Sequence, residues 1–131
     1  MISTLFTSIL AIWLLILSAR VIALRGISFL KFFSFNNFGE NALFRSVRAQ
    51  GNFIEYTPFF LILLFFVEFN GSNPHFLYLA SCLFLISRLM HGIGFGFTMQ
   101  SPFLRVGVIT LTFVSILLIA VFNVYEVIGS F

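Results

Sequence analysis

Apolar positions in this chain fall into four long runs separated by short polar stretches. The first begins near Ile2 and continues to about Arg25, and the second begins near Ala42 and ends near Phe69. The third runs from about His75 to Phe97 and the fourth from about Pro102 to Tyr125, with no charge between Val106 and Tyr125. Each is about as long as the roughly 20 residues a helix needs to cross a bilayer. Turn-forming residues sit at the breaks: Asn36-Asn37 with Gly39 in the first loop, and Asn70-Gly71-Ser72-Asn73-Pro74 in the second. The pattern predicts an all-α membrane protein, a bundle of four transmembrane helices that forms a single domain over residues 1–131.

Composition strengthens that reading. The chain is 60% hydrophobic and 8% charged, with a mean hydropathy of +1.12, whereas a soluble domain carries about 25% charged residues. Its 21 phenylalanines suit a lipid-facing surface. The formal charge of +3 does not point to nucleic acid, because the few basic residues sit between apolar runs. The single cysteine, Cys82, excludes an intrachain disulfide, and its apolar neighbours make it read as buried packing. Arg20, the first basic residue, follows the opening apolar run, so residues 2–19 read as a retained span and not a cleaved signal peptide.

The basic residues also predict an orientation. Arg20, Arg25, Lys31, Arg45 and Arg48 surround the first loop, Arg88 and Arg105 surround the third, and the second loop and both termini have none. The positive-inside rule then places loops one and three in the cytoplasm and both termini outside. Arg20, Lys31 and Arg45 read as anchors that snorkel to the headgroups.

The polar residues inside the spans are the candidates for chemistry, because each charge near the bilayer centre costs about 2.5–3.5 kcal/mol on insertion scales. Arg45, Arg48, Asn52 and Glu55 recur at helical spacing and so share one face, which should turn toward the bundle interior or a wet cleft. Arg88, His91 and Phe95 repeat the arrangement in the third run; Arg105 opens the fourth and Arg25 closes the first. Polar groups from four helices at one depth suggest a site for a polar, anionic molecule. Glu55 has a competing structural role, neutralising Arg88 or Arg48, and His91 a competing role in packing. Glu68 and Glu126 fall at the opposite interface, away from this cluster. Pro58 removes a helical hydrogen bond to the Ile54 carbonyl and should bend the second span. One cysteine and two separated histidines give no metal-ligand set. The glycines of Gly92-Ile93-Gly94-Phe95-Gly96 follow no strand, so close helix packing or a flexible helix end explains them better than nucleotide binding.

The segment RAQGNFIEYTP, residues 48 to 58, resembles the second-helix signature of the MAPEG family, the membrane-associated proteins of eicosanoid and glutathione metabolism. RLMHGIGF, residues 88 to 95, resembles the cytosolic end of that family's third helix, and the short loops look most like its bacterial branch. The resemblance implies a left-handed four-helix bundle assembled as a homotrimer, with glutathione as co-substrate bound between neighbouring subunits near the cytoplasmic face. Carried over by motif, it implies that Arg48, Asn52, Glu55 and Tyr56 contact the tripeptide, with Gln50 a further candidate. Glu55 would take the amino group and the arginines the carboxylates. Arg88 is similar to the family arginine on helix three, with His91 one turn on, and Arg25 resembles a basic residue ending helix one. Arg105 resembles the arginine that faces the thiol, which implies a catalytic role. Phe95 stands where several animal members have tyrosine, which removes one hydroxyl contact.

The resemblance implies a membrane glutathione transferase of the bacterial inner membrane that conjugates glutathione to apolar electrophiles, with reduction of lipid hydroperoxides as a companion activity. Two alternatives stand beside it: a non-catalytic lipid-binding protein of the same fold, and a small transporter or channel subunit whose polar stripe lines a path.

Overall fold

The computed structural model of the protein describes residues 1–37, 41–98 and 101–131. Four helices long and apolar enough to cross a membrane follow one another: α1 (Ile2–Leu24), α2 (Ala42–Phe69), α3 (Pro74–Gly92) and α4 (Pro102–Gly129). Among the described residues there is no strand. The protein is a multi-pass membrane protein of four helices. Gly39 of the expected first turn lies outside the described residues.

Local sequence accounts for the helix ends. Gly26, at a φ of +91°, takes the left-handed conformation that terminates α1. Pro74 and Pro102 open α3 and α4, where a missing N–H costs nothing. The Asn73 side chain caps α3 by accepting from His75 N at 2.9 Å, and Ser101 does the same for Leu104 N at 3.4 Å. At the start of α1, the cap comes from another helix. The Glu68 carboxylate accepts from Ser3 N at 2.9 Å, from Ile2 N and from the Ser3 hydroxyl. An anion at a helix N-terminus is favourable there, and it ties the start of α1 to the end of α2. Glu126 accepts from Ser72 at the same end of the bundle.

Among the described residues, two helical segments depart from plain α-helix, both at the end opposite the termini. Residues Ser28–Ser34 form 3-10 turns with a kink at Leu30, where the sequence predicts only a loop. The last turn of the third span, Ile93–Phe97, is π-helical.

The interior is apolar across most of its length. Phe6, Leu10 and Leu17 of α1 meet Phe53, Phe60 and Leu64 of α2, Leu77 and Phe84 of α3, and Ile119 of α4. Phe60 and Phe84 stack with ring centroids 4.0 Å apart. Cys82 is exposed, contrary to the expectation that it is buried packing. An apolar run in a membrane helix is apolar on both its core and its lipid side, so apolar neighbours do not say which way a residue points. Six helical hydroxyls are satisfied locally: those of Thr7, Ser8, Ser18, Thr110, Thr112 and Ser115 all donate to the carbonyl four residues back.

Candidate functional site

The loop end of the bundle gathers most of the polar residues. On α3, Arg88 is 2% exposed. Its Nη1 donates to Asn52 Oδ1 at 2.7 Å and its Nη2 to the Thr112 hydroxyl, which also contacts Ser87 Oγ at 3.1 Å. The guanidinium lies 5.9 Å from the centroid of Tyr56 and 5.6 Å from that of Phe84. One side chain thus links α2, α3 and α4 through hydrogen bonds to neutral groups, and its Nε is buried with no partner among the described residues.

One turn on, His91 is buried with its ring 5.6 Å from Phe95. Phe95 belongs to the π-helical turn, and over its ring lies the guanidinium of Arg105, 4.5 Å from the centroid. The spacing of Arg88, His91 and Phe95 therefore yields the common face that the sequence predicts, and Arg105 joins it from α4.

The α2 stripe, expected to face the bundle interior or a wet cleft, is split between an inner and an outer part. Arg45 and Asn52 are half-buried, whereas Arg48 and Glu55 are exposed on the outside of the chain. The reason is helical arithmetic. Residues seven apart nearly superpose, so Arg45 with Asn52 and Arg48 with Glu55 form two columns, and the second column lies further round from the buried Ala49, Phe53 and Phe60. Among the described residues, neither Arg48 nor Glu55 makes a hydrogen bond or ion pair. Glu55 therefore does not neutralise Arg88 or Arg48 within the chain; neutral Asn52 and Thr112 hold Arg88 instead.

A family assignment follows from comparison with known proteins. The chain matches the MAPEG family across residues 3–125. It belongs to that family. A 57-residue stretch is 35% identical to the inner membrane protein YecN of Escherichia coli, in two strains. That stretch is 44% of this chain and spans 44% of those relatives' length. No solved structure matches the chain.

The remaining MAPEG-type candidates are placed as follows. Gln50 is half-buried and its Nε2 donates to Ser18 Oγ at 2.7 Å, an α1–α2 tie. Tyr56 packs its ring 5.5 Å from Phe113 on α4. Arg25 is exposed at the end of α1 and is not drawn into the cluster by any contact among the described residues.

The structure also brings in residues that the sequence reading leaves out. Arg20 is 1% exposed, not a headgroup anchor. Its Nε donates to Gly96 O at 3.1 Å and its Nη1 to Phe35 O at 2.6 Å and to Phe33 O. Its Cζ also sits 5.1 Å from the Phe35 ring and 5.2 Å from that of Phe97. Ser46 of α2 donates to the same Gly96 carbonyl at 2.8 Å. Arg20 thereby fastens the first loop and the π-helical turn to α1. Its signal was its register with Leu10, Trp13 and Leu17, but α1 is apolar on every side and shows no stripe to align it with. Thr112 had a clearer signal, since Val108, Thr112, Ser115 and Ile119 recur at helical spacing and all are buried. Trp13 completes the floor: its Nε1 donates to the Arg88 carbonyl at 3.3 Å, and a Cβ added to Gly92 would lie 2.7 Å from Trp13 Cζ2. Close packing is thus what Gly92 provides.

Proposed function

We propose that the protein is a glutathione transferase of the inner membrane, assembled as a homotrimer with glutathione between neighbouring subunits near the cytoplasmic face. One observation carries this reading: four charged side chains of the loop end lack counter-charges among the described residues. Arg48, Glu55, Arg88 and Arg105 form no ion pair among the described residues. Arg48 and Glu55 lie about 10 Å apart along the outer face of α2. Left against lipid, each would cost on the order of 2.5–3.5 kcal/mol at the bilayer centre. A neighbouring subunit and a ligand with two carboxylates and one ammonium would relieve both problems at once. Glu55 takes the ammonium, and arginines take the carboxylates through charge-assisted hydrogen bonds. The column length matches an extended tripeptide.

Arg105 then faces the thiol. A guanidinium stabilises the thiolate, the species that attacks. The thiol proton leaves to water, the sulfur lone pair forms the new C–S bond, and the electrophile's leaving group departs with its bonding pair. Reduction of a lipid hydroperoxide by the same thiolate would consume two glutathiones, joined as a disulfide, and release an alcohol and water. The apolar co-substrate reaches the site from the lipid.

A non-catalytic lipid-binding role is the second reading. An apolar groove of about 270 Å³ between α1 and α2, lined by Leu10, Leu14, Phe53 and Pro58, favours it. A through-path is disfavoured by the stacked Phe60 and Phe84, which fill the interior beyond the polar cluster. Calorimetric titration of purified protein with glutathione, followed by a conjugation assay with a chloronitroarene, tests the proposal. Binding with turnover is expected. Binding without turnover favours the lipid-binding reading, and absence of binding overturns the glutathione assignment.

A further inference from the structure

The 3-10 turns of the first loop present a two-sided surface. Phe33 is packed against the core, and the Phe33 and Phe35 carbonyls are taken by Arg20. Phe29 and Phe32 point the other way, 85% and 67% exposed, and Ile27 is exposed beside them. Arg25 and Lys31 are also exposed, and neither side chain makes a hydrogen bond or ion pair among the described residues. The sequence from Met1 to Asn37 contains no Asp or Glu, so the charges on the described part of this surface are all cationic. Exposed phenylalanines recur at the same end of the bundle on two other elements, Phe44 at the start of α2 and Phe103 at the start of α4.

Such a surface is poorly matched to water and well matched to one solvent. Aromatic side chains at the end of a membrane span settle at the boundary between acyl chains and headgroups. Basic side chains beside them are attracted to anionic headgroups. The segment is also held rigidly: a short 3-10 stretch has weak hydrogen bonds of its own, and the Arg20 bonds supply the fixation that keeps Phe29 and Phe32 turned outward. We propose that residues Ser28–Ser34 form an in-plane lipid-binding plate, in which Phe29 and Phe32 enter the acyl boundary while Arg25 and Lys31 hold the phosphates of anionic phospholipids. The plate does not depend on glutathione chemistry, and it gives the first loop a ligand class of its own.

The test uses the full chain in bilayers of phosphatidylcholine and phosphatidylglycerol, without glutathione. With Cys82→Ser as background, spin labels are placed through Phe29→Cys, Phe32→Cys and Lys31→Cys. Power saturation should find the labels at 29 and 32 accessible to oxygen and shielded from a water-soluble nickel complex, and the label at 31 at headgroup level. Ready access of the nickel complex to 29 and 32 would place the turns in water, and shielding from both reagents would place them under protein; either overturns the plate. A second measurement reads headgroup choice, as the association of spin-labelled phosphatidylglycerol relative to phosphatidylcholine. A preference for the anionic lipid is expected, reduced by Lys31→Gln and brought close to one by Lys31→Gln with Arg25→Gln. Both side chains are exposed and make no hydrogen bond or ion pair among the described residues, so assembly is expected to be preserved. An undiminished preference in the double variant overturns the phosphate contacts.

Discussion

Arg105 and Phe95 meet across the α3–α4 boundary, the guanidinium 4.5 Å from the ring centroid, and the Nε of that guanidinium is buried with no hydrogen-bond partner among the described residues. An aromatic face holds a cation in place without consuming its donors. The arrangement leaves Arg105 oriented and still able to bind an anion, which is what a thiolate-stabilising residue requires.

Under the proposed binding mode, which assigns the carboxylates to other arginines, Arg105→Ala is expected to leave glutathione bound but to raise the pKa of the bound thiol and slow turnover. A free thiol titrates near about 8.5. Stabilising the anion lowers that midpoint, and loss of Arg105 moves it back up. Each unit is about 1.4 kcal/mol, a tenfold change in the thiolate ratio. Thiolate ultraviolet difference absorbance against pH reads the midpoint directly. A wild-type midpoint that is not lowered would sink the transferase mechanism, and equal lowered midpoints in both proteins would pass the role to another group.

Glu55→Gln should weaken glutathione binding while the protein still assembles. Losing one charge-assisted contact costs about 1.5–3 kcal/mol, which is on the order of 10- to 150-fold in Kd. Titration calorimetry and size-exclusion chromatography read the two quantities separately. Unchanged affinity removes Glu55 from the site; loss of assembly instead shows that it pairs across a subunit boundary.

Gly92→Ala tests the α1–α3 contact. The added methyl would meet the Trp13 indole at 2.7 Å, well inside contact distance. Overpacking of this kind costs about 1–3 kcal/mol. Denaturation in detergent, followed by far-ultraviolet circular dichroism, should show the loss, and a smaller residue at Trp13 should restore part of it. Wild-type stability in Gly92→Ala would mean that the indole moves aside freely.

Both termini should face away from the cytoplasm, because the basic side chains cluster around loops one and three. Reporter fusions at the C-terminus decide this. Cytoplasmic reporter activity there would put the proposed site on the wrong side for cytosolic glutathione.

The fold was largely legible because a bilayer imposes length and composition on each span, and the runs ending near Phe69 and Phe97 end there in the structure as well. The family was legible for a different reason: the chemistry-bearing residues of α2 and α3 cluster within short helical motifs, where spacing and face coincide. What the sequence could not fix was direction about the helix axis. In a soluble protein, polarity marks the outer face, but in lipid both faces are apolar, so Cys82 was expected inside and lies outside. Arg20 shows the converse error. A long basic side chain near the end of a span can reach headgroups or fold back beneath a loop, and only the carbonyls of Phe33, Phe35 and Gly96, set by tertiary structure, decide between the two. The division of the α2 stripe into an inner and an outer column was readable in principle, since it depends only on the seven-residue spacing and on where Phe53 and Phe60 point.

The Arg20 contacts also bear on how the molecule is made. Its partner Gly96 lies 76 residues further along the chain, so the first span enters the bilayer long before that acceptor is synthesised. Until then the guanidinium can draw only on water and on the carbonyls of Phe33 and Phe35, which follow it by 13 and 15 residues. Only when the π-helical turn arrives can the Gly96 carbonyl complete the set around it. The closing of that cluster is therefore a late event in biogenesis.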